Sequence, residues 1–302
     1  MDLLLMQLFN SLSVSSILLL AALGLAITFG LMGVINMAHG ELIMIGAYTT
    51  YVVQNIWKSV FPESLFDGYF IASIFISFLV TAGIGVLLER GIIRHLYGRA
   101  LDSLLVTWGI SLVLQQLVRS IFGPTNVSVA CPSFLDKNIE VIGMFSMSYK
   151  RLFILALVII CCILIGLLMY RTRQGRNIRA AMQNRPMAAS LGVNTARCDA
   201  LTFAIGSGFA GVAGCAIALL GPIGPTIGQS YIVDTFMAVV VGGVGRIVGC
   251  ITGSAIIGMG GPIFEFFTTA SLGKVLIFIV VIIILQFCPK GIFSISNRVL
   301  DE

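Results

Sequence analysis

Runs of about 20 apolar residues recur along the whole chain, and this recurrence limits the possible folds more than any other feature. A helix of that length covers roughly 30 Å, which is the thickness of the hydrocarbon core of a bilayer. Because the chain is 58% hydrophobic and only 10% charged, it lacks the charged residues that a water-exposed surface requires. The sequence therefore predicts an all-α fold, a polytopic bundle of transmembrane helices.

The apolar runs predict about eight hydrophobic segments, some of them broken or re-entrant. They cover residues 11–34, 38–53, 66–88, 101–121, 150–170, 199–221, 232–262 and 271–288. The stretch 232–262 is rich enough in glycine to interrupt a helix, so we expect a re-entrant hairpin or a pair of short crossings there. No internal repeat or linker divides the sequence, which predicts one domain over residues 1–302.

Basic residues are concentrated in two loops, 89–100 and 171–197, which hold nine of the 18 lysines and arginines. The positive-inside rule predicts that both loops face the cytoplasm, and an even number of spans separates them. The tail with Lys290 and Arg298 joins them there if the 232–262 segment ends on the side where it began. The N-terminus shows no signal-peptide pattern, and we expect it to be retained and periplasmic.

Two glycine-rich stretches match nucleotide-binding patterns only in their letters. Residues 206–211 read GxGxxG but lie within a predicted span, and residues 242–249 lack the GK[ST] ending of a phosphate-binding loop. We expect close helix packing from a ridge of small residues that starts in the first stretch and continues beyond it at i+4 spacing, namely Gly206, Ala210, Gly214 and Ala218. We expect a broken helix from the glycines of the second, namely Gly242, Gly243, Gly245 and Gly249.

Catalytic and metal-binding arrangements are missing from the sequence. The two histidines, His39 and His95, have no nucleophile or paired carboxylates at a suitable spacing. The seven cysteines show no CxxC or Cys/His ligand pattern, and most of them lie in apolar runs. We therefore expect no enzymatic activity, no metal, no cofactor and no nucleic-acid partner.

The stretch INMAHGELIMIG, residues 35–46, places three polar residues between two apolar runs. Asn36 can cap a helix, and Gly33 and Gly40 loosen the backbone beside it. A half-helix that starts here would direct its positive N-terminal end into the protein, as at the substrate sites of transporters. The alternative is a tight cytoplasmic turn in which Asn36, His39 and Glu41 are merely hydrated.

A second set of polar residues recurs at i+4 spacing in the segment 101–121. Thr107, Ser111 and Gln115 form one polar face, which predicts either a polar pathway or hydrogen bonds to another helix. Asp234 opens the seventh segment, where it lines the same pathway or is hydrated near the interface. The pathway candidates are therefore Asn36, His39, Glu41, Thr107, Trp108, Ser111, Gln115, Asp234 and Thr235.

The basic loop at about 171–199 contains the signals of a short helix. Pro186 suits a first helical turn, and Gly192 suits a left-handed C-terminal cap. A helix this short is unstable without a partner, so the pattern favours a docking element for another protein over a solvated loop.

Four ordered motifs carry a family resemblance over about residues 11–293. They read GLMGVINMAHGELIMIGAY, GRNIRAAMQNRPMAASLGVNTARCDALTFAIGSGFAGVAG, VVVGGVGRIVG and FCPKGIF. Together they resemble the LivH-like permeases, the membrane subunits of bacterial ABC importers of the branched-chain amino acid type. The stretches GPIGPTIGQSYIVDTFMAVVVGGVG and FEFFTTASLGKVLIF look most like the urea-importer permeases of the UrtB type.

The resemblance implies a multi-pass subunit of the bacterial inner membrane, surrounded by lipid. Its implied partners are a second homologous permease, two cytoplasmic ABC ATPases and a periplasmic solute-binding protein. The family's ATPase coupling helix corresponds to residues 179–192, although the usual Glu-Ala-Ala opening is not intact. The implied coupling residues are Arg179, Ala180, Ala181, Arg185, Pro186, Ala188, Ala189 and Gly192.

ATP-driven import is therefore the expected function, and urea is the expected solute. A branched-chain amino acid is the alternative solute, and a passive urea channel is the alternative class of protein, since polar stripes and broken helices also serve channels. A channel would not require the docking element in the basic loop.

Overall fold

The computed structural model describes residues 2–97, 99–136, 138–142 and 145–293, and this part of the chain is nearly all helical. The helices are α1 (Asp2–Met32), α2 (His39–Val60), α3 (Tyr69–Gly91), α4 (Ala100–Phe122), α5 (Tyr149–Arg171), α6 (Arg173–Gln183), α7 (Arg185–Ser190), α8 (Thr195–Ala218), α9 (Ile227–Gly242), α10 (Ile247–Phe267) and α11 (Ala270–Phe287). The predicted helical bundle is confirmed. Arg298 lies outside the described residues.

A short hairpin is the exception to the helical architecture. Strands β1 (Asn138–Ile142) and β2 (Phe145–Ser148) pair antiparallel in the connection between α4 and α5. This connection joins two membrane helices outside the apolar runs, where backbone groups need not be bonded within one helix. The sequence analysis did not predict it.

Seven of the described helices are long and apolar enough to cross a membrane: α1, α3, α4, α5, α8, α10 and α11. Helix α9 is shorter, with 16 residues, and α2 carries several polar residues. The predicted segment 232–262 consists of two helices, because the chain turns between α9 and α10 at Gly243 and Gly245, whose φ angles are +103° and +84°. These values favour glycine.

Helix α2 starts deep within the bundle. Helix α1 ends at Met32, Gly33 adopts a φ of +61°, and residues 33–38 are non-helical. The Nε2 atom of His39, the first residue of α2, lies 3.2 Å from the carbonyl oxygen of Ala21. Since Ala21 is eleven residues before the end of α1, the chain has turned back along α1 before α2 begins.

Helix α9 also starts in the interior, after a second break at residues 219–226. A Cβ added to Gly228 would overlap the backbone of Gly40, and one added to Gly40 would overlap the backbone of Gly228. The starts of α2 and α9 therefore meet backbone to backbone. This second break was not predicted, although Pro222 and Pro225 are a local signal for it.

Helix α8 lies at the centre of the bundle, and its residues from Gly206 to Ala218 are all buried. Its small residues face other backbones: Gly206 packs against Gly24 of α1, and Gly214 packs against Ile43 of α2. Ala210 is fully buried in the same ridge. Gly242 and Gly249 form an equally close contact between α9 and α10.

The two arginine-rich loops lie at the same end of the bundle, which we call the basic end. The guanidinium group of Arg185, from the second loop, stacks 4.7 Å from the ring centroid of Tyr97, from the first. The chain returns to this end after α11, where the amide of Phe293 donates to the carbonyl of Gly242 at 3.0 Å. The arrangement agrees with the predicted parity of the loops, and the membrane side that they face stays a prediction.

Replacing Gly214 by alanine is expected to destabilise the fold, because the added methyl group would overlap the carbonyl of Ile43. We expect a loss of about 1–3 kcal/mol in the free energy of unfolding. Gly166→Ala is the matched control, since no atom other than those of its chain neighbours and the adjacent backbone of α5 lies within 4 Å of the methyl group that it adds. The control should be neutral or more stable by up to about 1 kcal/mol. Denaturant titration of the purified chain in detergent measures both, and equal midpoints would contradict the packing argument.

Candidate functional site

The break between α1 and α2 is closed by local hydrogen bonds. The Asn36 Oδ1 atom accepts a bond from the amide of Ala38 at 3.1 Å. The N-cap position of α2 is held by Ala38, which makes no side-chain capping bond. The expectation that Asn36 caps the half-helix is therefore wrong, because the cap lies two residues later, at Ala38. The short side chain of Asn36 instead closes a turn before the helix.

The polar face of α4 packs against this break. Thr107 Oγ1 accepts a bond from the amide of Met37 at 3.1 Å. Glu41 Oε1 accepts bonds from Ser111 Oγ at 2.9 Å and from Gln115 Nε2 at 2.6 Å. Because these α4 residues are four apart, one face of the helix supplies every one of these bonds. Interhelical hydrogen bonding is thus observed, and the pathway role stays a prediction.

Three polar atoms at the break are buried and have no hydrogen-bond partner among the described residues: Asn36 Nδ2, His39 Nδ1 and Glu41 Oε2. Asn36 is 2% exposed, His39 is 0% exposed and Glu41 is 1% exposed. A polar atom buried in this way costs free energy unless a ligand or a proton satisfies it. The break therefore holds an amide nitrogen, a carboxyl oxygen and an imidazole nitrogen whose hydrogen-bonding capacity the described residues leave unused.

The remaining pathway candidates do not join this cluster. Trp108 lies on the outer face of α4 and is 50% exposed. Thr235 is buried, and its hydroxyl donates to the carbonyl of Tyr231 at 2.6 Å within α9. Asp234 is half-buried on another face of α9, within electrostatic range of Lys274 and Glu265. Helical spacing separates Asp234 and Thr235 by about 100°, so they face different surroundings.

The basic loop forms two short helices with well-defined ends. Thr172 caps α6 by accepting from the amide of Gly175 at 3.0 Å, and Asn184 caps α7 by accepting from the amide of Met187 at 3.0 Å. Pro186 lies in the first turn of α7. Gly192 follows the helix with a φ of +84°, which favours glycine.

The coupling candidates occupy different environments on α6 and α7. Arg179 stacks on the ring of Tyr170 at 4.8 Å, and Ala188 is buried. Ala180 and Ala189 are exposed, while Ala181 is half-buried. The outer surface of this element also presents Met187 and Leu191, which are 59% and 77% exposed. Exposed apolar side chains on a short helix are typical of a docking surface.

Polar contacts tie the start of α7 to the membrane helices. The guanidinium group of Arg185 forms an ion pair with Asp199 in the first turns of α8 and stacks on Tyr97. The Tyr97 hydroxyl donates to Glu89 Oε1, near the end of α3, at 2.9 Å. Sequence reasoning missed Glu89, Tyr97 and Asp199, because nothing in their spacing indicates that they meet.

Gln115 and Gln116 provide a matched pair to test the bond to Glu41. Gln115→Leu removes a donor from a buried carboxyl oxygen, so we expect a loss of about 1–3 kcal/mol in the free energy of unfolding. Gln116 lies on the exposed face of α4, so Gln116→Leu should change stability by less than about 0.5 kcal/mol. Unfolding titrations in detergent measure both variants. A larger loss in Gln116→Leu would show that the polar face does not hold α4.

Comparisons with known proteins identify the family. The family model described as "Branched-chain amino acid transport system / permease component" matches residues 7–285. The "High-affinity branched-chain amino acid transport system permease protein BraD" of Pseudomonas aeruginosa is 32% identical over an alignment 301 residues long, in which 96% of this chain and 95% of that protein are covered.

Two further relatives support the assignment. The "High-affinity branched-chain amino acid transport system permease protein LivH" of Escherichia coli K12 is 31% identical, over 96% of this chain and 95% of its own length. A "Probable branched-chain amino acid transport permease protein LivH" of Methanocaldococcus jannaschii is 25% identical, over 95% of this chain and 92% of its own length. No solved structure matches. The chain thus belongs to the family of branched-chain amino acid transport system permease components, and it is a multi-pass membrane permease and not an enzyme.

Proposed function

We propose that this chain is a translocation subunit of an ATP-driven importer in the inner membrane, and that the solute is a branched-chain amino acid. The names of the relatives carry the choice of solute, because all of those described above refer to branched-chain amino acid transport. The urea assignment expected from the sequence has no support from these comparisons. The branched-chain amino acid alternative is the better supported of the two.

The proposed importer contains a second homologous permease, two cytoplasmic ABC ATPases and a solute-binding protein on the opposite side. The exposed Met187 of α7 and Leu191, which directly follows that helix, support ATPase docking at the basic end, because the bundle does not cover these apolar side chains. The ATPases hydrolyse ATP, and this chain supplies half of the path.

Force from the ATPases would reach the break through a short series of contacts. Movement of α7 pulls on Asp199 through Arg185, and Asp199 belongs to α8. Helix α8 in turn contacts α1 at Gly24 and α2 at Ile43 without intervening side chains. Contacts between backbones leave little room for independent motion, so a shift of α8 displaces both helices that flank the break.

The polar atoms at the break suit an amino acid chemically. A carboxyl oxygen such as Glu41 Oε2 accepts from an ammonium group, and an amide such as Asn36 Nδ2 donates to a carboxylate. Their burial and their missing partners support contact with the passing solute. We propose that these two residues, with His39, contact the amino and carboxylate groups during translocation. Thr107, Ser111 and Gln115 position Glu41 and the break.

Uptake competition tests the proposed solute. We expect the complete transporter, reconstituted in proteoliposomes with its binding protein, to accumulate radiolabelled leucine when ATP is present. An excess of unlabelled isoleucine should abolish this uptake, because the two solutes share their charged groups. An equal excess of urea should leave it unchanged.

Two outcomes of the same assay would contradict the proposal. Accumulation of radiolabelled urea, blocked by unlabelled urea and not by leucine, would restore the urea assignment. Solute flux that continues after the ATPases are omitted would identify a passive channel.

Leu191→Glu tests the docking surface at the C-terminal end of α7. Leu191 is 77% exposed, so the substitution should leave the fold intact but place a charge in the apolar contact. We expect roughly tenfold weaker co-purification of the ATPases, because the loss of a central apolar contact typically weakens binding by about this factor. Leu191→Met is the matched control and should retain them. Equal retention by both variants would show that the ATPases dock elsewhere.

A further inference from the structure

A pocket of about 410 Å³ opens at the basic end, beside the start of α7. It lies between the end of α3, the short turn Ile93–Leu96 and the starts of α7 and α8. Its charged lining consists of Arg90, Arg94, Arg185, Arg197, Glu89 and Asp199. Four guanidinium groups thus face two carboxylates, so the pocket attracts anions.

The two carboxylates form the buried floor of the pocket and are already bonded. Glu89 is 3% exposed and accepts from Tyr97, and Asp199 is 7% exposed and pairs with Arg185. Because both carboxylates already have partners, they compete only weakly with an incoming anion for the arginines at the rim.

The rim of the pocket carries the uncompensated charge. Arg90, Arg94 and Arg197 are exposed, and the described part of the chain provides none of them with an ion pair. Guanidinium groups that converge on one site match the several oxygens of a phosphate group.

The surroundings of the pocket indicate a phosphate that is attached to apolar chains. Leu87 lies one helical turn before Arg90 on α3, and Leu201 lies one turn after Arg197 on α8. Each is one turn closer to the membrane centre than its arginine, and they are 72% and 40% exposed. Both helices are long and apolar enough to span the bilayer. An acidic side chain of a soluble partner would make no use of these leucines.

We propose that this pocket binds the phosphate headgroup of an anionic phospholipid, whose acyl chains lie along Leu87 and Leu201. Basic pockets between membrane helices are suited to such headgroups. Arg185 lines the pocket and also begins α7, so a bound phosphate adds a further anchor to the docking element. The lipid then regulates coupling between ATPase and permease. The binding step depends on neither the proposed solute nor the ATPases.

Native mass spectrometry of the purified full-length chain in detergent tests the binding step. We expect dioleoylphosphatidylglycerol to bind about tenfold more tightly than dioleoylphosphatidylcholine. The double variant Arg94→Gln with Arg197→Gln should lose this preference entirely, because a loss of about fivefold for each arginine exceeds the roughly tenfold difference. Because both side chains are exposed, the thermal midpoints of the variant and the natural chain should agree.

Arg171→Gln is the matched control, because Arg171 is exposed at the same end of the bundle but does not line the pocket. It should retain the full preference for phosphatidylglycerol. An equal loss in this control, or equal binding of the two lipids by the natural chain, would reduce the site to general surface charge and overturn the proposal.

Two further measurements distinguish a lipid from free phosphate and from a protein partner in this pocket. Inorganic phosphate that displaces phosphatidylglycerol at an equal concentration would identify a site for free phosphate, because the acyl chains would then contribute nothing. A double variant that retains the lipid but no longer co-purifies with the ATPases would identify a protein-docking site. Either result would overturn the lipid assignment.

Discussion

The close approach of α8 to its neighbours is the constraint on which the rest of the bundle depends. Lipid chains are as apolar as leucine, so burial of apolar side chains drives helix association weakly in a bilayer. Helices must instead gain dispersion energy and polar contacts at short range. Gly206 against Gly24, Gly211 against Gly46 and Gly214 against Ile43 permit this approach along the length of α8. Each of these contacts excludes a Cβ atom, and together they fix the positions of α1 and α2.

The two breaks follow from the same physical limits. Non-helical backbone within a membrane is tolerated only where protein satisfies its polar groups. At residues 33–38, Thr107 and Asn36 accept the amides of Met37 and Ala38. At residues 219–226, Ile223 exchanges two backbone bonds with Val127. The polar face of α4 therefore satisfies part of the backbone of the first break, in addition to holding Glu41.

Local patterns in the sequence predicted the features that depend on neighbouring residues. Apolar runs predicted the spans, INMAHGE predicted the first break, and Pro186 with Gly192 predicted the ends of α7. Contacts between residues of different helices and loops left no such local pattern, as the contacts of Tyr97 with Glu89 and Arg185 show. The urea expectation gained no support, because the relatives' names refer to branched-chain amino acid transport. It rested partly on residues 268–271, which are exposed at the start of α11 and are not part of the break.

The distribution of polar and backbone contacts indicates which connections the proposed importer would exchange when it changes shape. Glycine contacts are set by two backbones, so they separate only when whole helices move. Hydrogen bonds and ion pairs can exchange partners at small cost when a solute or water replaces one side. Two such polar connections flank the central helices: Arg185 with Asp199 at the basic end, and Glu41 with Ser111 and Gln115 at the break. In the proposed importer, a rigid α8 between these two connections would transmit displacement from one to the other, which is the mechanical requirement for coupling ATPase docking to solute passage.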